Sequence, residues 1–72
     1  MGRIGENGLT LTARELAVLR LFSIGKRVSE AATHLEPGEE TIRSHLKKAE
    51  AKLGVHDRAH AVAQAIRLQL IP

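Results

Sequence analysis

The sequence predicts a small all-α domain of four helices, and three observations support this prediction. Hydrophobic residues make up 43% of the 72-residue chain, yet Phe22 is the only aromatic residue. A core of Leu, Val, Ile and Ala side chains suits helices packed against helices. Apolar residues recur at three- and four-residue spacing in four segments, and residues typical of helix ends separate them. A chain this short buries only about 60% of the surface that its unfolded form exposes, which leaves little room for an enclosed active site.

The first helix is predicted to begin after Thr12 and to end at Gly25. Thr12 and Glu15 have the spacing of a capping box, in which each side chain accepts a hydrogen bond from an amide at the helix start. The face directed to the core is predicted to consist of Glu15, Val18, Leu19 and Phe22. A second, shorter helix is predicted over Val28–Leu35, with an inward face formed by Val28, Ala31, Ala32 and Leu35.

The third helix is predicted over about 39–53, between the helix-breaking Pro37-Gly38 and Gly54. A rotation of 100° per residue separates two faces. The apolar face contains Ile42, Leu46, Ala49 and Leu53, with His45 at its edge. The opposite face is polar and basic and contains Glu40, Arg43, Ser44, Lys47, Lys48 and Ala51.

The fourth helix is predicted to begin after Asp57, a good N-cap residue, and to run from Arg58 to about Leu70. It has two apolar stripes. The stripe predicted to pack on the domain consists of Ala59, Val62, Ala63, Ile66 and Leu70. The stripe predicted to remain available for a partner consists of Ala61, Ala65 and Leu68.

The positive charge of the chain is concentrated on the third helix. The net charge is +3, and the segment from Thr41 to Lys52 contains four cations and one acid, so this segment alone accounts for the excess. A basic stripe on one element is typical of a protein that binds a polyanion. Two short helices joined by a tight turn, the second one basic on its outer face, indicate a helix-turn-helix.

Several separated blocks resemble one family in uninterrupted register over about residues 9–71. They are Leu11-Thr12-x-Arg14-Glu15-x-x-Val18-Leu19, Gly25, Glu30-x-Ala32, Leu35, Thr41-Ile42-Arg43-x-His45, Lys52-Leu53-Gly54-Val55, Arg58 and Leu70-Ile71. The pattern is similar to the DNA-binding domain of LuxR-type bacterial transcriptional regulators. Residues 9–72 are therefore predicted to form a LuxR-type helix-turn-helix domain, and residues 1–8 a flexible lead-in or linker.

The resemblance implies that the third helix enters the major groove of DNA and that the fourth forms a homodimer contact. Base contacts are expected from Arg43, Ser44 and Lys47, and phosphate contacts from Thr41 and Lys48. Arginine and lysine can donate to guanine O6 and N7, and a helix N-terminus and flanking cations suit phosphate oxygens. The expected dimer residues are Ala61, Ala65 and Leu68, in a small interface that forms weakly in solution. Ala31 and Ala49 replace usual isoleucines, and Leu16 and Leu46 are expected to refill that volume.

The function expected from these features is sequence-specific binding of double-stranded DNA by a transcriptional regulator, either an excised effector domain or a small stand-alone protein. RNA polymerase is a further candidate partner. The expected location is cytoplasmic, on the nucleoid. The alternative is a protein-interaction module of the sigma-factor region 4 type, which docks on polymerase or an anti-sigma partner.

Enzymatic activity, a cofactor, a metal and a membrane contact are not expected. The chain has no cysteine. His56 and His60 have a spacing that can share a helix face, but Asp57 is predicted to begin the helix between them, and no further ligand completes a metal shell. No apolar segment approaches the roughly 18 residues of a membrane span.

Overall fold

The four helices begin and end close to the predicted capping residues. The computed structural model describes residues 10–35 and 38–72, together with the backbone of residues 3–4. Helix α1 spans Ala13–Ser23, α2 Val28–Leu35, α3 Glu39–Leu53 and α4 Arg58–Arg67. The predicted four-helix class is confirmed, although α4 ends at Arg67 and not near Leu70. None of the helices in the described ranges is long and apolar enough to cross a membrane.

Two short strands precede the helices and were not predicted. Strand β1, Arg3–Ile4, pairs antiparallel with β2, Thr10–Leu11, so that Arg3 lies opposite Leu11. Most of the lead-in predicted over residues 1–8 lies outside the described residues. Where the backbone is described, at Arg3–Ile4, it is paired with the segment that enters α1.

Side chains satisfy the free amides at three helix starts. The capping box at α1 is confirmed, since Thr12 Oγ1 accepts from the Glu15 amide at 3.1 Å and Glu15 Oε1 accepts from the Thr12 amide at 2.9 Å. Asp57 Oδ1 accepts from the amide of His60 at 2.7 Å, as expected of the N-cap of α4. At α2, Glu30 Oε1 accepts from the Arg27 amide at 2.8 Å. These bonds fix the entry points of the chain into its helices.

Three helices end in the same kind of turn. A residue with positive φ follows α1 (Gly25, +87°), α3 (Gly54, +74°) and α4 (Gln69, +60°). In each turn the next amide donates to a carbonyl five residues earlier, at 3.1 Å from Lys26, 3.0 Å from Val55 and 2.8 Å from Leu70. This is the Schellman arrangement, which reverses the chain and satisfies carbonyl groups at the helix end.

The core consists of two groups of buried side chains that meet at α1 and α3. One group contains Val18, Phe22, Ala31 and Ile42. The larger group contains Leu11, Leu19, Ala49, Leu53, Val55, Ala61, Ala65, Leu70 and Ile71. Ala31 belongs to the smaller group and Ala49 to the larger one; Leu46 packs against both groups, and Leu16 packs against the larger one. The predicted inward face of α1 is confirmed, since Glu15, Val18, Leu19 and Phe22 are its buried residues.

The assignment of the two faces of α4 was wrong in part: Leu70 is buried and Val62 packs against both core groups, as predicted, but other residues were placed on the wrong face. Ala61 and Ala65 are fully buried in the larger core group, whereas Ala59 is exposed and Ile66 is 46% exposed. Ala61 and Ala65 therefore cannot form a surface for a partner, although Leu68 remains 38% exposed. Small side chains let α4 approach α1 and α3 closely, and the bulkier Ile66 stays outside. At the start of α4 the Arg58 guanidinium lies 4.8 Å from the centre of the Phe22 ring, a cation–π contact between α4 and α1.

Candidate nucleic-acid interface

Helix α3 is held in the domain by one face and exposes the other. Ile42, Ala49 and Leu53 are its buried residues, and Leu46 is half-buried beside them. The five side chains predicted to contact DNA are all exposed: Thr41, Arg43, Ser44, Lys47 and Lys48. The helix therefore presents its polar, cationic side to solvent while three turns of apolar contacts fix its position.

The exposed side chains have a defined order around α3. With 100° of rotation per residue, Ser44 lies near the middle of the exposed face, opposite the buried residues. Thr41 and Lys48 lie toward one edge, and Lys47 and Arg43 lie toward the other. The residues predicted to contact bases and those predicted to contact phosphates thus occupy neighbouring parts of one surface.

The start of α3 carries two acids and no side-chain cap. Gly38 is the N-cap residue, and Glu39 and Glu40 occupy the first turn, where carboxylates interact favourably with the positive end of the helix. Glu39 also forms an ion pair that was not predicted. Its Oε1 lies 3.2 Å from Nη2 of Arg43, one turn further along the helix. The spacing of four residues was the available signal for this pair.

Lys52 does not belong to the exposed basic stripe, although its charge was counted there. Its Nζ donates to Glu15 Oε1 at 2.8 Å, to Glu15 Oε2 at 3.1 Å and to the carbonyl of Thr10 at 3.0 Å. The side chain of Glu15 is almost fully buried. The cations that α3 presents to solvent are therefore Arg43, Lys47 and Lys48.

The carboxyl group of Glu15 remains ionised inside the domain because of its partners. Burial acts to raise its pKa, but hydrogen bonds from Lys52 and from the Thr12 backbone, together with the charge of Lys52, outweigh that effect. The pKa of Glu15 is consequently lowered from its ordinary value of 4.5. Glu15 is a structural carboxylate that connects the start of α1 with the last turn of α3.

Arg14 fixes the position of α2 beside this assembly. Its Nη1 donates to the carbonyl of Leu35 at 3.2 Å, at the end of α2. A helix leaves its last carbonyl groups without helical partners, so this bond satisfies one of them. It also joins α1 to the C-terminal end of α2.

The histidines do not form a metal site in the part of the chain that the structure describes. No group of three or more His, Cys, Asp or Glu side chains with suitable geometry occurs there. His56 and His60 are both exposed, and Asp57 between them uses its carboxylate to cap α4. His45 is half-buried at the edge of the apolar face of α3.

Comparison with known proteins identifies the family. Residues 9–65 match the family described as bacterial regulatory proteins, luxR family. The chain is 40% identical to the spore germination protein GerE of Bacillus subtilis over 58 residues, which cover 81% of this chain and 78% of that protein. It is 39% identical over 61 residues to the probable transcriptional regulatory protein NarL of Mycobacterium tuberculosis.

The extent of the match differs among these relatives. The chain spans only 28% of the length of NarL. The solved structure of the transcription factor GerE superposes with a TM-score of 0.82 at 29% sequence identity and covers 86% of this chain and 92% of that one. The four-helix fold described above agrees with this match. The chain belongs to the luxR family of bacterial regulatory proteins and contains its DNA-binding helix-turn-helix domain.

Proposed function

We propose that this chain binds double-stranded DNA in a sequence-specific manner and thereby regulates transcription, with α3 in the major groove. The observation that carries the proposal is the two-sided character of α3, whose buried face fixes the helix while Arg43, Lys47 and Lys48 point outward. A helix fits the major groove of B-DNA, and cations beside it neutralise phosphates. The protein would act in the cytoplasm, on the nucleoid.

The exposed side chains have two different roles in this proposal. Arg43, Ser44 and Lys47 contact base edges, where arginine and lysine donate to guanine and serine bonds to several bases. Thr41 and Lys48, toward the other edge of the exposed face, contact phosphates. Base contacts determine which sequence is bound, and phosphate contacts fix the orientation of the helix on any sequence.

We also propose that two copies bind together on DNA through the C-terminal end of α4. Ile66 and Leu68 are large apolar side chains that remain exposed there, and Ile66 borders an open groove together with Arg20 and Leu70. A contact built on so few apolar side chains is small, so the dimer forms weakly in solution and is completed on DNA. RNA polymerase is a candidate partner of the assembled dimer.

The test begins with selection of the preferred site from random duplexes, followed by titration of variants on that site and on random DNA. Arg43→Ala or Lys47→Ala should cost roughly 1–3 kcal/mol on the preferred site and relax the preference at one or two base pairs. Lys48→Ala should weaken binding to all sequences and reduce the salt dependence, by roughly 0.9 in log–log slope for each phosphate that is no longer neutralised. Arg20→Ala removes an exposed cation from α1 and is the matched control. Because Arg20 borders the proposed dimer contact, it is compared with Lys48→Ala on a duplex with a single half-site.

The parent protein should show a slope of log affinity against log salt of about −4 to −5, as expected for a dimer that neutralises four to six phosphates. Binding that does not depend on salt, or equal reductions in affinity from Arg20→Ala and Lys48→Ala, would show that the α3 face is not the DNA surface. A protein that fails to bind any duplex would instead favour the docking module of the sigma-factor region 4 type.

A further inference from the structure

The guanidinium of Arg43 is not free in the absence of DNA. Its Nη2 donates to Oε1 of Glu39 at 3.2 Å, and both side chains remain open to water, with 57% of Arg43 and 48% of Glu39 exposed. The bond occupies one donor of a group that has five, so the other donors are still available to a base. Arg43 is thus partly restrained and still able to bind.

This ion pair contributes little to folding. Exposed pairs at four-residue spacing change the stability of a helix by less than about twofold in its equilibrium constant, and salt weakens them further. At the same time, Glu39 places a negative charge beside Arg43, at the edge of the face that must approach a polyanion. A carboxylate there lowers the affinity for DNA of any sequence. Any contribution of Glu39 to DNA recognition must therefore come from its effect on how Arg43 binds.

We propose that Glu39 is a positioning residue that makes Arg43 a selective base contact; this inference rests on the proposed function. Side chains on a helix incline toward its N-terminus, and Glu39 lies one turn in that direction from Arg43. The bond therefore holds the guanidinium toward the start of α3, the end of a recognition helix that contacts base edges. An unrestrained arginine on a flexible stem would instead pair with whichever phosphate is nearest.

The carboxylate of Glu39 strengthens this selection by its charge. A phosphate that approaches Arg43 also approaches Glu39 and is repelled, whereas the uncharged edge of a guanine is not. Glu39 thus lowers the affinity for DNA of any sequence. The reduction is smaller for a duplex that presents a guanine to Arg43. The expected result is higher discrimination at one base pair with lower total affinity.

The neighbouring Glu40 provides a matched control. It is an exposed carboxylate in the same first turn, so it has the same favourable interaction with the helix end. In the described ranges the ion pairs are those of Arg43 with Glu39 and of Lys52 with Glu15, and Glu40 belongs to neither. Glu40→Gln therefore removes the same charge as Glu39→Gln without releasing Arg43.

The experiment measures the affinity of the parent, Glu39→Gln, Glu40→Gln, Arg43→Ala and Glu39→Gln/Arg43→Ala for three duplexes. These are the selected site, the site changed at the base pair whose preference Arg43→Ala relaxes, and random DNA. Both glutamine variants should bind random DNA roughly two- to threefold more tightly, because each loses one charge near phosphates. Only Glu39→Gln should lose discrimination at the chosen base pair. An arginine contact can provide roughly 5- to 150-fold discrimination, and we expect Glu39→Gln to reduce it by roughly 3- to 10-fold.

When Arg43→Ala is already present, adding Glu39→Gln should no longer change discrimination at the chosen base pair. The melting temperatures of Glu39→Gln and Glu40→Gln should remain within about 4 °C of the parent. Equal effects of Glu39→Gln and Glu40→Gln on discrimination would overturn the inference, since charge alone would then explain them. Unchanged discrimination in Glu39→Gln would overturn it while leaving the base contact of Arg43 intact. An even reduction in affinity on all duplexes in Arg43→Ala would overturn both this inference and the proposed base contact.

Discussion

Glu15 and Lys52 form a buried charge pair whose partners depend on one another. Lys52→Met leaves the carboxylate of Glu15, which is 3% exposed, without its countercharge. We expect a loss of about 3 kcal/mol in the free energy of unfolding, because a single buried charge is costly. Denaturant titration at pH 7 measures this loss.

The double variant Glu15→Gln/Lys52→Met is the control for this experiment. It removes the charge of Glu15 and keeps an acceptor for the Thr12 amide, so it should recover most of the stability. A loss below about 1 kcal/mol in Lys52→Met would contradict the role given to this pair.

The same pair predicts how stability depends on pH. The pKa of Glu15 is lowered in the folded protein, so the folded state holds the proton less tightly than the unfolded state. The stabilisation is therefore complete above the unfolded value of 4.5 and is lost as the pH falls through the lower folded value. Melting temperatures measured from pH 7 down to pH 2.5 should show the stability of the parent falling relative to that of the Glu15→Gln/Lys52→Met variant below about pH 4.5. A constant difference across this range would contradict the lowered pKa.

Polar contacts could be predicted from the sequence only where they are local. Thr12 and Glu15 lie within one helical turn, and the spacing alone predicts their capping box, which is confirmed. Glu15 and Lys52 are 37 residues apart. The helical period separates Lys52 from the exposed Lys47 and Lys48, but no local pattern identifies Glu15 as its partner, because that contact depends on how α1 packs against α3.

At the scale of single elements, the end of α4 carries a residue that does not favour its own backbone conformation. Gln69 occupies the left-handed position that glycine occupies at the ends of α1 and α3. Gln69→Gly should stabilise the domain by about 0.5–1 kcal/mol, because glycine lacks the Cβ atom that disfavours this conformation. Thermal and denaturant unfolding measure the change.

Gly25→Ala is the reciprocal control for that substitution. A Cβ atom at this position would meet nothing within 4 Å, so the effect comes from the backbone alone. With φ at +87°, the substitution should destabilise the domain by about 1 kcal/mol. Changes of the same sign at the two positions would show that the turn conformation does not determine these stabilities.

Helix α4 is the element whose buried face and end were predicted least well from the sequence. Alanines at positions 59, 61, 63 and 65 give both of its sides a similar apolar character. Side-chain size suggested that Val62, Ile66 and Leu70 point inward. Val62 does pack against the core, but Ile66 is exposed, and the fully buried residues of the helix are Ala61 and Ala65. Leu70 does reach the core, but through the turn at Gln69 and not through helical spacing. Periodicity fails here because it assumes that the helix continues and that larger side chains are the buried ones.

At the scale of the whole molecule, dimerisation on DNA is the property to test. Ile66→Lys places like charges together if two copies meet at the end of α4, and it should abolish cooperative binding to two half-sites about 10 base pairs apart, centre to centre. Binding to a single half-site should persist, since α3 is unchanged. Isotherms on duplexes with one and two half-sites measure the difference.

Ile24→Lys is the matched control for this experiment, because Ile24 is another exposed apolar side chain, at the end of α1, and the substitution adds the same charge. Its cooperativity should equal that of the parent. Leu68→Lys tests, in the same assay, the one exposed residue of the dimer surface predicted from the sequence. If Ile66→Lys and Leu68→Lys both bind two half-sites as cooperatively as the parent, the end of α4 is not the dimer surface.

The sequence predicts which side chains form the candidate site better than it predicts the contacts among those side chains. All five side chains assigned to DNA from the sequence are exposed on α3, because a rotation of 100° per residue directs them away from the side that contains Ile42, Ala49 and Leu53. The pairing of Arg43 with Glu39 was not predicted, although their spacing permits it. Such exposed pairs are nearly neutral in energy, so spacing alone cannot show which of them form.

The turn at Gln69 also determines how short a working version of this domain can be. The family match ends at residue 65, and the last helix ends at Arg67. Leu70 and Ile71 nevertheless return to the core and are buried there beside Leu11 and Leu53. A gene trimmed to the last helix would uncover that apolar surface and yield a protein prone to aggregation. Tags, reporters and fusion partners therefore belong after the exposed Pro72, where they leave this closing segment in place.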